Sequence, residues 1–428
     1  MADRAAGLHQ LGRDGCNAAP CPGSRPTNRS GRLRERVTQS RGESMSTPTR
    51  ANYDRPLFDL HSVSSAPVII EGIDLVRWRD IHFLRARSKD GAEGLVMINE
   101  GRHFLTAMLK ERILPFFPGR DARDLETMID EIYVYKWNYK YAGSTFWTTV
   151  AWAEAAVLDL LGKATGKSIG DLLGGRKRDQ VPVYVSSLVR ETTPEAEVEW
   201  VGRRIEQTKA KAVKLKIGGR LSKNADASPG RTERLIALAR KTWGGEMKIY
   251  VDANGSYDVP HALDVAKMLK AHDVVFFEEP CPFEDLDETK AVADALDMPV
   301  AGGEQDASLP RFEYMARHRV VDILQPDMLY NGGFIRNHRA DVIARHYGLP
   351  LTPHSPYLGP RQALSTHFCA TLPELPIEME YAAALPERPM DWYGPQIEAK
   401  DGRVAVPTGP GLGIEFAPEV VNGLQIVE

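Results

Sequence analysis

Cysteine is scarce in this chain: Cys16, Cys21, Cys281 and Cys369 are the only four in 428 residues, and none stands at a metal-ligand spacing from another. That argues against a thiolate metal centre and favours a reducing, cytoplasmic setting. No run of 18 apolar residues occurs, so no membrane-spanning helix is expected. Charge is nearly balanced, 54 basic against 58 acidic residues for a net −4, which gives no electrostatic case for a nucleic-acid or anionic-membrane partner. Residues 1–50 lack Phe, Trp, Tyr and Lys altogether, carrying nine Arg and four acids among many Gly, Pro, Ser and Thr. Such a stretch cannot bury enough apolar surface to order itself. Its composition is that of a transit peptide, yet it has neither an amphipathic period nor an apolar signal core. Residues 1–52 therefore read as a disordered extension, with Met45 the more natural start.

What is present is a rhythm. At 428 residues the chain is too long for one compact core and suggests two domains, or a barrel with attachments. From residue 53 to 178 strands precede helices. Val68–Ile70 and the alternating Ile81–Arg87 read as strands, with Lys89-Asp90-Gly91 a turn, and Thr148–Ala164 reads as a helix stopped by Gly166. Strands then helices describe a small α+β domain. From 179 to 385 the two types alternate. Val181–Val185, Ala212–Ile217, the runs ending at Asp252, Glu278 and Glu304, Val321–Leu324, Leu349–Thr352 and Ile377–Glu380 read as strands, and Thr193 with Pro194 starts a helix. Eight strands in about 200 residues fit a TIM-like (β/α)7β barrel. A doubly wound open sheet would gather its ligands at one crevice instead. The segment 386–428 is Pro/Gly-rich and is expected to return to the first domain as part of a cap.

Three acids end successive strands: Asp252, Glu278 and Glu304, each 26 residues from the next. Strand ends of neighbouring βα units converge, and three unpaired carboxylates repel, so a cation is the natural occupant. Hard oxygen ligands without a Cys or His cluster favour Mg²⁺. Lys214 and Lys216, two apart on one strand, face the same way into the barrel mouth. Two adjacent ammonium groups should lower one another's pKa toward that of a general base. Asp327 ends the sixth strand and His354 the seventh, where the carboxylate can hold the imidazole in one tautomer.

In this order and spacing the motifs resemble the mandelate racemase branch of the enolase superfamily. The resemblance covers residues 53–428. It is carried by Leu160-Leu161-Gly162-Lys163, Leu172-Leu173-Gly174-Gly175, Lys214-Leu215-Lys216, Val251-Asp252-Ala253-Asn254-Gly255, Phe277-Glu278-Glu279-Pro280, Gly303-Glu304, Asp327, His354 and the run Pro407–Gly413. It implies that Asp252, Glu278 and Glu304 bind one Mg²⁺ that chelates a substrate carboxylate. It further implies that Lys216 moves a proton on one face of the α-carbon and His354, oriented by Asp327, on the other. Lys214 would tune Lys216 and touch the carboxylate. Glu380 would donate to the enediolate oxygen, with Glu378 the alternative, and Asn254 would touch substrate or metal shell. Such an enzyme stabilises an enediolate with a metal and a Lys or His base. Specificity would come from cap residues such as Asn99, Arg102, His103 and the aromatic run Trp137–Tyr141, which includes Tyr141. The muconate-lactonising branch carries a lysine where this chain has Asp327, so cycloisomerase chemistry is not expected. The polar stretch Arg220–Arg231 reads as an insertion rather than a mobile loop.

Dehydration of an acid sugar to a 2-keto-3-deoxy acid leads the expectations, racemisation or epimerisation of a 2-hydroxy acid follows, and a non-catalytic binding protein comes third. Expected partners are a small-molecule carboxylate and further copies of the chain. Deleting residues 1–44 should leave the melting temperature and turnover unchanged, because that segment has almost nothing to bury. Thermal denaturation of the truncated chain checks this, and a fall of several degrees would show instead that the segment docks.

Overall fold

The computed structural model describes residues 49–98, 103–384 and 390–427, without the side chain of His103. Its first sheet contains β1 (Ile70–Trp78), β2 (Ile81–Ser88) and β3 (Glu93–Met97), joined by tight turns and antiparallel throughout. The turn at Lys89–Gly91 falls where the sequence puts it. The first strand does not: it begins at Ile70 and runs on to Trp78, past a register shift between Ile70 and Gly72. Only three residues before that shift read as a strand from the sequence.

Helix α1 (Leu125–Val134) packs on α2 (Ser144–Thr165), which itself packs behind this sheet. Helix α2 is buried nearly all round from Phe146 to Gly162, which makes it the central helix of the cap rather than a surface one. It ends as expected at Gly166, whose φ of 70° is the left-handed terminator that glycine accepts without a Cβ penalty.

The second region alternates strand and helix: β4 (Gln180–Ser186), α3 (Pro194–Thr208), β5 (Ala212–Lys216), α4 (Arg231–Trp243), β6 (Lys248–Asp252), α5 (Val259–Ala271), β7 (Phe277–Glu278), α6 (Leu286–Ala295), β8 (Val300–Gly302), α7 (Leu309–Arg317), β9 (Ile323–Leu324), α8 (Phe334–His346), α9 (Gln362–Thr371) and β10 (Met379–Ala382). The turns before several helices carry side-chain caps, each stabilising by about 1 kcal/mol. Thr193 accepts from the Ala196 amide, Asp258 from His261 and Asp285 from Glu288.

The strands pair in parallel in the order β10-β4-β5-β6-β7-β8-β9. The expected seventh strand, Leu349–Thr352, is reduced to isolated bridges, Leu324 with Leu351 and Asp327 with His354. Between it and the last strand, the Thr352 hydroxyl donates to the Glu378 carbonyl at 3.0 Å and the Ser355 amide to Glu380 Oε2 at 2.8 Å. Inside the ring sits a separate apolar plug that includes Tyr184, Ala212, Tyr250, Phe276, Ala301 and Ile323. Tyr250 stacks on Phe276 with centroids 4.2 Å apart.

The segments before the first sheet and after the last barrel strand join the two regions. Thr49 accepts a bond from His346 Nε2 at 2.6 Å, and the amide of Ala51 donates to Glu313 at 2.8 Å. Ala51 and Tyr53 are each 2% exposed. Residues 49–52, which composition assigns to the disordered extension, are thus part of the fold, anchored by backbone bonds that composition does not report. At the other end β11 (Tyr393–Gly394), β12 (Ala399–Lys400), β13 (Arg403–Ala405), β14 (Glu415–Phe416) and β15 (Gln425–Ile426) follow. The tail is expected on the cap, and β15 does pair with β1. The β12–β13 hairpin instead pairs with Gln180–Pro182 of β4, the half of that strand that β10 leaves uncovered.

Among the described residues no helix is long and apolar enough to cross a membrane. Two buried histidines give the fold a pH signature. His338 bonds the Phe334 carbonyl and the Thr371 hydroxyl, each at 2.8 Å, and His367 bonds the Leu412 carbonyl at 3.0 Å. Burial holds both imidazoles down to about 4. The unfolded chain, with histidines near 6.5, takes up these protons first, so stability should fall as pH drops from about 6.5 to about 4, by a few kcal/mol per group. Urea midpoints across that window measure it. His338→Gln and His367→Gln should each flatten the slope; an unchanged slope in both would refute the assignment.

Candidate active site

Period-two alternation carries chemistry above the plug. On β6 Tyr250 belongs to the plug and Asp252 stands two residues on; Phe276, just before β7, and Glu278 on it repeat the step; on β5 Ala212 is followed by Lys214 and Lys216. The result is a layer of charge roofing a dry interior. One oxygen from each of Asp252, Glu278 and Glu304 lies within 4.8 Å of the other two, and all three residues are buried. Equal spacing in sequence has become convergence in space, although Glu304 sits two residues beyond its strand.

Each carboxylate has a distinct set of neighbours. Asp252 Oδ1 accepts from the Asn254 amide at 2.8 Å, while Oδ2 takes Lys216 Nζ and the Asn254 side chain. Both oxygens of Glu278 take Lys214 Nζ at 2.9 Å, and Gln325 Nε2 adds a third bond at 2.9 Å. Glu304 Oε1 accepts from Gln305 Nε2 at 2.9 Å; Oε2 accepts no hydrogen bond and lies 3.3 Å from His354 Nε2. His354 Nδ1 meets Asp327 Oδ2 at 2.7 Å. Asp327 is itself held by the amides of Leu329 and Tyr330, both at 2.7 Å, and by the Tyr357 hydroxyl. Glu380 bonds the Ser186 hydroxyl at 2.6 Å and pairs with Lys214 at 3.1 Å. Glu378 bonds Lys248 and the Tyr250 hydroxyl instead, so only Glu380 joins the charged layer.

Asn254 is the hub. Its Oδ1 takes Lys216 Nζ at 3.2 Å and Arg190 Nη2 at 2.9 Å, while its Nδ2 reaches Asp252, Glu279 and Glu304. Asn254 and Glu279 adopt left-handed backbone conformations, φ 42° and 41°. Such positions cost about 1–3 kcal/mol each and persist where the surroundings over-determine them.

Electrostatics overturn one expectation. Lys214 does lower Lys216, but the mutual effect of the two lysines does not decide their state. Burial works to lower both, but Glu278 and Glu380 around Lys214, and Asp252 and Glu304 around Lys216, outweigh it and hold both amines above their ordinary range. Burial likewise works against a charged His354, yet Glu304, Glu380 and Asp327 raise it to about 10. Glu278 is pushed up to about 8 by burial and by Asp252 and Glu304, against the pull of Lys214. Burial also opposes ionisation of Glu380, but Lys214 and His354 bring it down to about 2.

The donor set fits a hard divalent cation. Three buried carboxylates converge, they repel one another, and Glu279 Oε1, Glu304 Oε2 and Gln325 Oε1 are buried acceptors without a hydrogen bond.

Of the remaining expected residues, only those of the run Trp137–Tyr141 have described side chains. Arg102 and Asn99 lie outside the described residues, and His103 has only its backbone described, in a short turn. Tyr141 is half exposed and lies against Arg112, whose guanidinium sits 4.9 Å from the ring centre. Residues 220–231 are tied to the Asp252 turn: the amides of Leu221 and Asn224 donate to the carbonyls of Asn254 and Ser256 at 3.0 and 2.7 Å. Arg190, Gln325, Tyr357 and Ser186 enter the site without having been singled out in the sequence. Glu279 stood beside Glu278 in a Glu-Glu-Pro run that could have flagged it; the loop arginine Arg190 gave no signal.

The sequence profile described as "Enolase C-terminal domain-like" matches residues 196–420. An arabinonate dehydratase of Saccharolobus solfataricus is 30% identical over 309 residues, 71% of this chain and 79% of that one. A D-galactarolactone cycloisomerase of Agrobacterium fabrum is 29% identical, over 65% of this chain and 74% of that one. Among solved structures, a candidate racemase from Roseobacter denitrificans superposes with a TM-score of 0.78 at 32% identity, covering 84% of this chain and all of that one. A mandelate racemase/muconate lactonizing protein from Paracoccus denitrificans, complexed with magnesium, gives 0.75 at 24% identity, over 84% of this chain and 99% of that one. The chain therefore belongs to the enolase superfamily, in its mandelate racemase and muconate lactonizing branch, and folds as a TIM-like barrel with a cap. It is an enzyme of the lyase or isomerase class. The missing lysine at Asp327 does not set the chain apart from cycloisomerases as a group, since one stands among its relatives.

Proposed function

We propose that this enzyme dehydrates an acid sugar, removing the proton α to a carboxylate and then the β-hydroxyl to give a 2-keto-3-deoxy acid. The observation that carries the reading is the pair Lys216 and His354, two proton-transfer groups from different strands. Each touches a different carboxylate of the one triad, Asp252 and Glu304. The names of relatives support the choice, with arabinonate, gluconate and galactonate dehydratases among them.

Asp252, Glu278 and Glu304 would hold Mg²⁺. The ion would supply Lewis-acid stabilisation of a carboxylate that gains charge as the α-proton leaves. With Asp252 engaged by a cation, the partner that most strongly holds the Lys216 proton is weakened; that proton passes to solvent, and the free amine of Lys216 takes the α-proton. The electron pair of the broken C–H bond moves into the carboxylate as an enediolate. Lys214, held between Glu278 and the ionised Glu380, lies beside the triad as the fixed cationic partner for those oxygens, in place of the hydrogen bond expected from Glu380. The pair then returns to form the C=C bond as the β C–O bond breaks, and His354, held by Asp327, gives its proton to the leaving hydroxide. Water departs, and the enol tautomerises to the 2-keto acid.

Racemisation at the same carbon is the second reading, favoured by the same pair: were the two groups to act from opposite faces, a proton removed by one and replaced by the other would invert the centre. Incubation with mono- and diacid sugars and Mg²⁺ separates the two, since only dehydration yields a 2-keto product.

Two outcomes are expected. Glu304→Gln should weaken Mg²⁺ binding in calorimetry and lower kcat by about 10²–10³-fold; full activity after exhaustive chelation would sink the metal assignment. Lys216→Met and His354→Asn should each lose turnover mainly in kcat. In deuterated water a racemase variant should still exchange the α-proton of the one enantiomer that faces its surviving group. Wild-type turnover in either variant would remove that residue from the mechanism.

A further inference from the structure

Helix α8 starts without a cap of its own. Its N-cap residue is Gly333, at φ 97°, and offers no side chain to the first amides. The carboxylate that serves them comes from elsewhere. Glu154, on the central cap helix α2, accepts the Phe334 amide at 2.5 Å on Oε2 and the Ile335 amide at 3.0 Å on Oε1. The fit is close: a Cβ on Gly333 would lie 1.8 Å from Glu154 Oε2. Glu154 is wholly buried, and burial pushes its carboxyl group up to about 8 against the pull of those two amides, so the acid needs these donors as the helix end needs an acceptor.

The loop leading into this helix carries Asp327. Its turns are closed by short-range bonds: Asn331 amide to the Asp327 carbonyl, Gly332 to Leu329 and Gly333 to Met328, at 3.2, 2.9 and 3.0 Å. The Asn337 side chain, one turn into α8, donates to the carbonyls of Gly333, Met328 and Asp327. The orientation of the Asp327 carboxylate is thus set by loop amides, the loop by the start of α8, and the start of α8 by Glu154.

We propose that Glu154 is a positioning residue: by supplying the N-cap of α8 from the cap, it fixes the Asp327 loop and with it the ring of His354. Docking of the cap is then a condition for a correctly aimed imidazole, beyond any role of the cap in covering substrate. The consequence for turnover rests on the proton-transfer role assigned to His354; the consequence for the loop does not.

Asp159 supplies the control. It lies on the same helix, is equally buried, and accepts the amides of Leu95 and Leu412, both at 2.8 Å, away from the Asp327 loop. In hydrogen–deuterium exchange of the full-length protein, Glu154→Gln should speed exchange of residues 328–335 about tenfold. Asp159→Asn should lower the melting temperature and leave that segment protected. In ¹⁵N-histidine spectra assigned with His354→Asn, the His354 Nδ1–H signal should broaden in the Glu154 variant alone. On whichever acid sugar the wild type dehydrates, Glu154→Gln should cut kcat by about 10- to 100-fold with KM little changed. Should Glu154→Gln fail to fold, Glu154→Asp, one methylene shorter, is read the same way. Wild-type protection of 328–335, or loosening no greater than in Asp159→Asn, would overturn the proposal. A wild type that dehydrates no acid sugar would overturn the functional reading, while the exchange and spectra still decide this one.

Discussion

Everything in this molecule answers to one constraint: more carboxylate than cation is buried at the mouth of a barrel. Asp252, Glu278, Glu279, Glu304, Asp327 and Glu380 face Lys214, Lys216, Arg190 and His354, and all are at most 7% exposed. Taking an ion out of water costs several kcal/mol even after relaxation, so every one of these groups needs a partner. The aromatic plug keeps the floor dry, alternation delivers the charges to one level, and strained turns at Asn254 and Glu279 bring in the amide and carboxylate that no straight strand could. A divalent cation is the economical completion of that arrangement.

The parts of the fold that sequence made legible are those where one physical rule acts alone. The triad could be read because a βα unit of constant length returns each strand end to the same level. Lys214 with Lys216, and Asp327 with His354, could be read because alternation and adjacency follow from strand order. The boundary drawn at residue 52 from composition does not hold among the described residues, since bonds to His346 and Glu313 draw Thr49 and Ala51 into the fold; residues 1–48 lie outside those described.

Where rules compete, the reading failed. Residues 71–78 did not read as strand because Glu71, Gly72 and Asp74 interrupt the apolar pattern, although pairing with β2 continues. The lysines were expected to repel each other's protons, yet the nearer carboxylates decide their state. Arg190, Gln325 and Tyr357 reach the site from loops or strand ends whose course depends on the finished barrel. Of the cap residues expected at the substrate, Tyr141 is found against Arg112, while Asn99 and Arg102 lie outside the described residues.

The sheet that starts the chain is finished by the end of it: β15, residues 425–426, is the edge strand beside β1, and the β12–β13 hairpin has meanwhile closed on β4. During synthesis from the N-terminus the three-stranded cap sheet must therefore wait, one edge open, while the whole barrel emerges. Emergence of Gln425 and Ile426 is the moment at which the first-made sheet acquires its border. A truncation that removes these two residues consequently acts on the oldest part of the fold, not the newest.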